Sequence, residues 1–525
     1  MGLWQFHSPP LNQRYSIAPC SIFANVIATD SCYYVSGMRA YSSGLNFQEG
    51  AFIKFNLDGT IAQSTYFAND TIGYIFWESP NLIKTLDGNF AQTFTVAPHT
   101  GHLHFGFIKL KPNGDTLLFK TYLNLYEENN DDWVVQPGGF LQDPIDSAYY
   151  GTVNVSRYSD LVGGTALFKL SKTGEFLWHK TFYGTLGNYR IFKGNSLIKI
   201  APDRLMIGGT RIHTPAANSD FRLNTKLVII DTLGNEIQSK VLGVGILADN
   251  CNGLIQTIDG GFIYGGKNGE FVQNGNAMVY RGIIIKLAPN LNEEWRIEDE
   301  EPSGESRVNF ENILKINDSN FVAVGRTIDT TSINSHGIHS GGRLLKFNLT
   351  GDIIWDRNYQ RVQFLDNENN IPTHILYDVD MTADSGFVMV GQAINSEASN
   401  PEPVGQLGWL VKTDKYGCLV PGCQEFDNPD TTDTVITPPD PEIGLKVYPN
   451  PAKDELYIYY ASQNHTGNAI ASLFNMQGQI VSQWPLNTNY TTYMLDVEHY
   501  AKGTYVLKIL DGEAVLKVEK VIFSE

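Results

Sequence analysis

The sequence predicts an all-β protein, a seven-bladed β-propeller followed by a small C-terminal immunoglobulin-like β-sandwich. Three observations lead to this fold class. A strand-and-turn pattern recurs seven times in residues 1–423. Aromatic residues at 12% with 49 glycines favour strands and tight turns over helices. A second series of short strands follows a polar linker, so we expect a propeller at 1–423, a linker at 424–443 and a sandwich at 444–525.

The strongest repeat is an apolar strand that ends in a turn glycine. It reads Phe-Ile-Lys-Phe-Asn-Leu-Asp-Gly from residue 52, and further copies begin at 107, 167, 227, 284, 344 and 410. Six copies place a glycine five residues after the same strand position, whereas the fifth copy, at 286–291, lacks it. A polar turn that leads into another strand precedes each copy, as in Asp-Gly-Gly-Phe-Ile-Tyr-Gly-Gly at 259–266. The repeating unit is therefore predicted to contain four strands, a to d.

Such units are expected to pack radially, because a four-stranded unit cannot bury both of its faces alone. The last copy ends after Gly417 without a d strand, while the chain opens with Leu-Trp-Gln-Phe-His at residues 3–7. We expect residues 3–7 to complete the seventh blade and close the ring. An open or stacked β-solenoid is the alternative, since local repeats do not prove closure. The long b-to-c and d-to-a connections are expected on one rim, where a ligand would bind.

Composition and charge narrow the function. The formal net charge of −18 argues against nucleic acid as a ligand, because phosphate backbones require a basic surface. No apolar run reaches the roughly 18 residues that span a bilayer. No signal peptide is visible in residues 1–10. Cys418 and Cys423 lie in a turn with Gly and Pro and are a candidate disulfide, with two free thiols as the alternative.

The C-terminal region is predicted to be a separate β-domain. Residues 424–443 are acidic and rich in Pro and Thr, which is typical of an extended linker. Seven short strands in about 80 residues are typical of a β-sandwich. The predicted strands are 445–448, 455–460, 469–474, 480–484, 492–497, 503–510 and 515–522.

Three motifs in this domain carry a family resemblance. They are Val-Tyr-Pro-Asn-Pro-Ala at 447–452, Leu-Phe-Asn-Met-Gln-Gly-Gln-Ile-Val at 473–481 and Lys-Gly-Thr-Tyr-Val-Leu-Lys-Ile at 502–509. In this order they resemble the C-terminal sorting domain of type IX secretion cargo, over residues 444–525 only. The motif positions are Tyr448, Pro449, Asn450, Pro451, Gly478, Lys502, Gly503 and Tyr505.

The resemblance implies export and a partner. It implies recognition by the type IX translocon in the outer membrane and an extracellular or outer-surface location, as a released or an anchored protein. The same prolines and glycines also suit the folding of a plain sandwich. Cargo of this family normally carries an N-terminal secretion signal, which residues 1–10 do not display. The repeat region loosely resembles the bodies joined to such domains, a likeness that names no activity.

Histidines form the sharpest candidate metal site. His99, His102 and His104 lie in the second b-to-c loop, and His336 and His339 lie in the corresponding loop of another unit. Two H-x-x-H pairs can ligate zinc or copper, but a closed site needs three or four ligands, and solvated loop histidines are the alternative. Acidic d-to-a loops can hold calcium, yet they lack the spacing of a calcium loop. The sequence requires no cofactor, and calcium and zinc are the candidates.

No catalytic constellation accompanies these features. The sequence contains no Gly-x-Ser-x-Gly elbow and no phosphate loop. Our first hypothesis is a secreted or cell-surface protein whose propeller binds a glycan or a protein. The alternatives are an extracellular glycan-active hydrolase or lyase that uses the loop face, and a passive surface-layer component. Binding is favoured over catalysis because no catalytic pattern is present.

Overall fold

The computed structural model describes the chain in ranges that are separated mainly by its longer connections. These ranges are 10–18, 20–40, 48–69, 71–76, 81–98, 103–122, 133–157, 163–183, 190–213, 222–242, 250–271, 278–299, 308–334, 337–359, 373–395, 405–419, 423, 444–448, 450–453, 455–461, 469–486, 490–497, 499–511 and 514–524. Within them the structure forms 36 β-strands. The chain divides into two compact units, of which one ends at Gly417 and the other contains residues 418–525. We call the first the body and the second the C-terminal unit.

The body consists of antiparallel four-stranded units, numbered here as sheets 1 to 7. In sheet 2 two short strands share the first position, and sheets 6, 7 and 1 are joined by parallel bridges into one 12-stranded sheet. The first strand, β1 (Leu11–Tyr15), belongs to the seventh sheet. Sheet 1 contains β2 (Cys20–Ala28), β3 (Cys32–Ala40), β4 (Gln48–Asn56) and β5 (Ile61–Phe67). In sheet 2, β6 (Ile72–Ile75) and β7 (Ile83–Lys84) both pair with β8 (Phe90–Pro98), and β9 (His104–Leu110) and β10 (Thr116–Tyr122) follow.

The middle sheets repeat this order. Sheet 3 contains β11 (Trp133–Gln142), β12 (Tyr149–Arg157), β13 (Gly163–Leu170) and β14 (Phe176–Tyr183). Sheet 4 contains β15 (Arg190–Ala201), β16 (Arg204–His213), β17 (Arg222–Asp231) and β18 (Glu236–Leu242). Sheet 5 contains β19 (Gly253–Gln256), β20 (Phe262–Phe271), β21 (Met278–Leu287) and β22 (Glu293–Glu298).

The last two sheets complete the series. Sheet 6 contains β23 (Asn309–Lys315), β24 (Asn320–Asn334), β25 (Gly337–Asn348) and β26 (Ile353–Tyr359). Sheet 7 contains β27 (Thr373–Met381), β28 (Phe387–Asn395), β29 (Gly405–Thr413) and β1. Single parallel bridges, Ser340 with Thr373 and Cys20 with Gln406, connect sheets 6, 7 and 1. The body is thus all-β and propeller-like.

The seventh sheet takes its outer strand from the N-terminal region. β1 runs antiparallel to β29, with register pairs from Leu11 and Lys412 to Tyr15 and Gly408. The strand at this edge is therefore β1 and not the predicted segment 3–7, which lies outside the described residues. Trp409 of β29 donates a hydrogen bond from Nε1 to Oδ1 of Asn12 at 2.7 Å, which adds a side-chain contact to the backbone pairing.

Consecutive sheets pack through apolar side chains. Tyr34 of sheet 1 lies against Phe90 of sheet 2, with ring centroids 4.3 Å apart. Similar clusters join sheets 2 and 3, 3 and 4, 4 and 5, and 5 and 6. Trp355 of sheet 6 contacts Phe387 of sheet 7 at 6.0 Å, and a further cluster joins sheet 7 to sheet 1. Each sheet therefore has a packing neighbour on both sides.

The missing glycine of the fifth copy shows how the repeat tolerates an exception. Gly59 in the first copy has φ of 83°, a left-handed conformation that glycine adopts without strain. Leu291 takes the corresponding place in sheet 5 with φ of 65°. Its side chain is fully buried in the core between sheets 4 and 5. Burial of this side chain therefore offsets the strained backbone.

The C-terminal unit contains two sheets. One sheet orders β30 (Gly444–Tyr448), β31 (Glu455–Ala461) and β34 (Tyr490–Asp496). The other orders β33 (Ile480–Leu486), β32 (Ala469–Asn475), β35 (Gly503–Asp511) and β36 (Ala514–Phe523). Both contribute to one core, with Leu456 and Ile458 from the first and Leu473, Leu507 and Ile509 from the second. The strands overlap all seven segments predicted in this region.

Candidate functional site

The long connections define the first candidate site. Because strands alternate in direction within each sheet, the b-to-c and d-to-a connections leave from one end and the tight turns from the other. The long connections include 123–132, 214–221, 360–372 and 396–404, which lie outside the described residues. What the structure describes is the strand framework that holds them, and we call this end the long-connection rim.

A repeated ion pair anchors the tight turns. In four sheets the recurring lysine of the third strand binds an aspartate of the turn between the first two strands. The Nζ-to-carboxylate distances are 2.6 Å for Lys109 and Asp87, 2.7 Å for Lys169 and Asp146, 3.0 Å for Lys286 and Asp259, and 3.0 Å for Lys412 and Asp384. The repeat lysine, to which the sequence analysis assigned no role, thus joins the third strand to a turn.

Burial and hydrogen bonding shift the pKa values of these groups. Burial by itself would raise the pKa of Asp259, but hydrogen bonds from Thr257, Gly261 and Lys286 lower it to about 2. Burial lowers the pKa of Lys412, which is 1% exposed, and the carboxylate of Asp384 opposes that effect. The donors around Asp259 thus favour its charged form, and the four repeated pairs act as structural ties between a strand and a turn.

A second ionic network lies between sheets 5 and 6. The guanidinium of Arg343 binds Asp299 at 2.6 Å and Asp356 at 2.7 Å, and it lies 4.9 Å from the centroid of the Phe310 ring. Asp299 also accepts a hydrogen bond from the backbone N–H of Gly282 at 2.9 Å. Asp299 belongs to one of the acidic d-to-a loops that were candidates for calcium binding. In the structure its carboxylate forms an ion pair with Arg343.

Two carboxylates, the buried Asp378 and the half-buried Asp380, lie on the first strand of sheet 7. Asp378 accepts hydrogen bonds from the backbone N–H of Val26 at 2.9 Å and from the side-chain amide of Asn312 at 2.7 Å. Asp380 accepts one from the N–H of Ala28 at 2.8 Å. Burial raises the pKa of Asp378 to about 6, despite its donors, and raises the pKa of Asp380. The two carboxylates accept hydrogen bonds from backbone N–H groups of β2 in sheet 1, and Asp378 also binds Asn312 of sheet 6. They therefore join sheets 6, 7 and 1.

Polar side chains link the first strands of other neighbouring sheets in the same way. These links run from the N–H of Asn81 to Oδ1 of Asn25 (2.9 Å), from Nδ2 of Asn195 to Oδ1 of Asn252 (3.2 Å), and from Nδ2 of Asn252 to Oε2 of Glu311 (2.9 Å). Local sequence patterns do not reveal these residues, because the contacts depend on register between different sheets. These residues hold neighbouring sheets together by hydrogen bonds.

Two of the five histidines in the predicted metal site, His104 and His339, lie in described strands. His99, His102 and His336 lie outside the described residues. His104 begins β9 and is half-buried, and the backbone of His339 pairs with Asp329 in sheet 6. In the described ranges no group of three or more His, Cys, Asp or Glu side chains is placed to hold a metal ion.

One histidine that the sequence analysis did not select is buried at a packing contact. Nε2 of His374 lies 3.0 Å from the guanidinium of Arg14, and the His374 ring lies 5.1 Å from that of Trp409. Arg14 stands on β1, so this contact also fastens the N-terminal strand.

The Pro-Asn-Pro motif of the C-terminal unit binds the edge of the last strand. Asn450 donates from Nδ2 to the carbonyl of Lys520 at 2.7 Å and accepts from the N–H of Ile522 at 2.9 Å. Ala452 donates to the carbonyl of Ile522 at 2.7 Å and accepts from the N–H of Ser524 at 2.6 Å. Four backbone groups of this edge are thereby paired. Pro451 lies between the two binding residues, and Pro449 lies outside the described residues.

The other motif positions have structural places of their own. Tyr448 ends β30. Gly478, in the turn between β32 and β33, has φ of 77°. Lys502 donates from Nζ to the carbonyl of Lys453 at 2.9 Å. Gly503 begins β35, and Tyr505 packs in the core and donates a hydrogen bond to the carbonyl of Ala501 at 2.6 Å.

The cysteines comprise one disulfide pair and three free thiols. Cys418 and Cys423 form a disulfide with their Cα atoms 5.7 Å apart. Cys20, Cys32 and Cys251 are free thiols, and burial raises the pKa of the Cys251 thiol well above its usual range. Among the described residues no helix is long and apolar enough to cross a membrane.

The C-terminal unit matches a known family. Residues 446–524 match the family described as "Secretion system C-terminal sorting domain". The match confirms the predicted type IX sorting domain, and it assigns the protein to secretion, to the cell surface or the extracellular medium. No curated protein matches the chain by sequence.

Solved structures match the chain only distantly. An α-L-arabinofuranosidase from Fusarium graminearum is 9% identical with a TM-score of 0.39, over 63% of this chain and 92% of that protein. An apocarotenoid oxygenase from Synechocystis is 11% identical with a TM-score of 0.34, over 79% of this chain and 96% of that protein. At these TM-scores the likeness carries no argument about activity.

Proposed function

We propose that the body is a closed seven-bladed β-propeller whose long-connection rim binds a glycan or a protein outside the cell. The sorting domain at 446–524 provides the export, and recognition of this domain by the type IX translocon is part of the proposal. We also propose that its two-sheet fold is immunoglobulin-like. The body then acts as a rigid support for the variable connections that it displays.

Closure of the ring is supported by a tyrosine hydrogen bond that recurs between neighbouring sheets, which we call the tyrosine latch. The hydroxyl of a tyrosine at the end of an outer strand donates a hydrogen bond to a carbonyl in the turn of the next sheet, which the twist of the sheets brings near. The hydrogen bonds run from Tyr122 to Gly174 (2.6 Å), from Tyr359 to Gly417 (2.8 Å) and from Tyr15 to Gly59 (2.7 Å). The last of these joins sheet 7 to sheet 1, so β1 makes the same contact as the outer strands of sheets 2 and 6.

The distribution of the connections supports the binding role. Tight turns with internal hydrogen bonds occupy one end of each sheet, as between Asn56 and Gly59. The longer and more varied connections leave from the other end. Rigid scaffolds that display variable loops on one side are suited to recognition. The buried ionic and amide joints that link neighbouring sheets keep this rim in a fixed geometry.

Export is tested by removing the sorting domain. In the native host, deletion of residues 444–525 is expected to leave the protein inside the cell envelope, whereas the full chain reaches the surface or the medium. Immunoblots of separated fractions measure the difference. Equal export of the deleted chain would show that a different signal directs this protein.

Ligand binding is tested with the purified full chain on an array of polysaccharides and surface proteins. Replacement of residues 214–221 or 396–404 by a glycine-serine linker of equal length is expected to reduce binding. Ile353→Ser, an exposed position on β26, serves as the control and should bind normally. Cleavage of a bound glycan would instead support the hydrolase or lyase alternative, and retention of full binding by both loop variants would contradict the rim as the site.

Metal analysis accompanies these measurements. Stoichiometric zinc or copper that is lost from the His102→Ala, His339→Ala double variant would establish the histidine site. Absence of bound metal together with intact ligand binding would leave the propeller as a metal-independent binding body.

A further inference from the structure

The outward face of sheet β33-β32-β35-β36 is unusually apolar for a solvent-facing sheet. Along β35, Tyr505, Leu507 and Ile509 point into the core, so Val506 and Leu510 lie on the opposite face. An antiparallel sheet that faces water on one side normally alternates apolar and polar residues. Here both faces of β35 are rich in apolar side chains.

The neighbouring strands extend this surface. Ile470 on β32 is 40% exposed, Val481 on β33 is 38% exposed and Val518 on β36 is 47% exposed. Ile470 is next to Ala471, which lies in the core, and Val481 is next to Ser482, the register partner of core residue Leu473. Val518 is the register partner of Lys508, which is next to core residues Leu507 and Ile509, so all three share the outward side. We call this surface the outer sheet face. Apolar side chains are register partners across strands on this face, Ile470 with Leu510 and Phe474 with Val506. Apolar surface that continues across strands marks an interaction site.

The charged side chains that the structure describes on the outer sheet face are of one sign. Lys508 and Lys520 project from it, and Lys508 lies over the ring of Phe474 at 4.9 Å. Among the described side chains of this face there is no aspartate or glutamate. A partner surface with apolar side chains flanked by carboxylates would therefore be complementary to it.

We propose that the outer sheet face is the surface by which the secretion machinery recognises this protein, through an apolar protein surface edged with carboxylates. The inference rests on the export role of the sorting domain. A protein partner is favoured over an anionic membrane because residues 444–525 contain six lysines and eight aspartates and glutamates, which gives no net positive charge. The motif of Asn450 and Ala452 binds the edge of β36 and leaves this face open.

Export of full-length variants in the native host tests the proposal. Val518→Asp and the Lys508→Glu, Lys520→Glu double variant are each expected to reduce the exported amount at least tenfold, with accumulation in the periplasm. Ile353→Asp on β26 of the body is the matched control, since this residue is 52% exposed, and it should be exported normally. Thermal denaturation of the purified variants separates a binding defect from misfolding. If Val518→Asp unfolds, the double lysine variant carries the test.

The outcomes distinguish the proposal from its alternatives. Normal export of the folded variants, while deletion of 444–525 blocks export, would overturn this face as the recognition surface and leave the sorting role intact. Loss of a dimer in Val518→Asp with normal export would show that a second copy of the chain covers the face. Loss of binding to phosphatidylglycerol vesicles in parallel with export would assign the face to lipid and would also overturn the proposal.

Discussion

Tyr15 offers the sharpest perturbation of the proposed ring. Its ring lies 5.0 Å from that of Phe55 and 5.7 Å from that of Phe23, and its hydroxyl donates to the carbonyl of Gly59 at 2.7 Å. The same hydroxyl lies 2.6 Å from Oε1 of Gln13. Tyr15→Phe therefore removes the hydrogen bonding of this hydroxyl to Gln13 and Gly59, which contributes about 1 kcal/mol. Tyr15→Ala also removes the half-buried ring, and we expect a total loss of about 3 kcal/mol.

The matched controls are Tyr122→Phe and Tyr122→Ala. Tyr122 makes the same contact with Gly174, but it lies in a sheet whose strands all follow one another in the chain. Differential scanning calorimetry of all four variants measures the effect. If the ring closes through β1, each Tyr15 variant should lower Tm by an amount similar to that of its Tyr122 counterpart. Wild-type Tm for both Tyr15 variants, with lowered Tm for the Tyr122 variants, would refute the closure.

Four further changes test other parts of the structure. Asp378→Asn should flatten the pH dependence of the free energy of unfolding. The pKa of Asp378 is about 6 in the folded protein and 3.8 ordinarily, so wild-type stability should fall by about 3 kcal/mol as pH rises from 4 through 6. An equal pH dependence in the variant, measured by denaturation at several pH values, would contradict this. Leu291→Gly should relieve about 1 kcal/mol of backbone strain but lose about 3–4 kcal/mol of packing, so urea denaturation should show a net loss; a gain would show that strain dominates. Lys412→Met should cost about 3 kcal/mol, because it leaves Asp384 without its cation, and an unchanged denaturation midpoint would contradict the tie. Asn450→Ala should destabilise the C-terminal unit by about 1–2 kcal/mol through two lost hydrogen bonds, and calorimetry that shows an unchanged transition for this unit would contradict the edge contact.

Local pattern was sufficient to predict the strands and turns of the repeat. A strand that alternates around Lys54 and ends at Gly59 needs only neighbouring residues to define it, and β4 with its left-handed turn follows that prediction. The seven strands of the C-terminal unit were predicted for the same reason. Exceptions were harder to interpret, as at Leu291, where the sequence shows a missing glycine but not the buried pocket that compensates for it.

The strand that closes the seventh sheet could not be identified from the residue pattern alone, because the pattern does not give the register with β29. Residues 3–7 and β1 both resemble an outer strand, and the prediction selected the wrong one for the edge of β29. A signal was present, because Arg14 and Tyr15 follow the same basic-then-aromatic order as Arg357 and Tyr359 at the end of β26. The tyrosine in that order donates a hydrogen bond to the next sheet, a contact that is visible only once the sheets are packed.

The joints at Asp378 and Asn252 depend on contacts between strands far apart in sequence, which composition and spacing do not reveal. The predicted histidine site depends on loops beyond the described residues, so it stays a prediction. The sorting domain was recognised because its motifs are local and ordered, and the family match confirmed it.

Hydrogen exchange in β29 tests the closed ring most directly. In the full chain, the backbone amides of residues 405–413 that face β1 should exchange slowly, and a variant that lacks residues 1–16 should lose this protection at alternate positions. The corresponding amides of β13, which face β14, provide an internal reference in both proteins. Equal exchange of β29 in the two proteins would contradict closure of the propeller by its N-terminal strand.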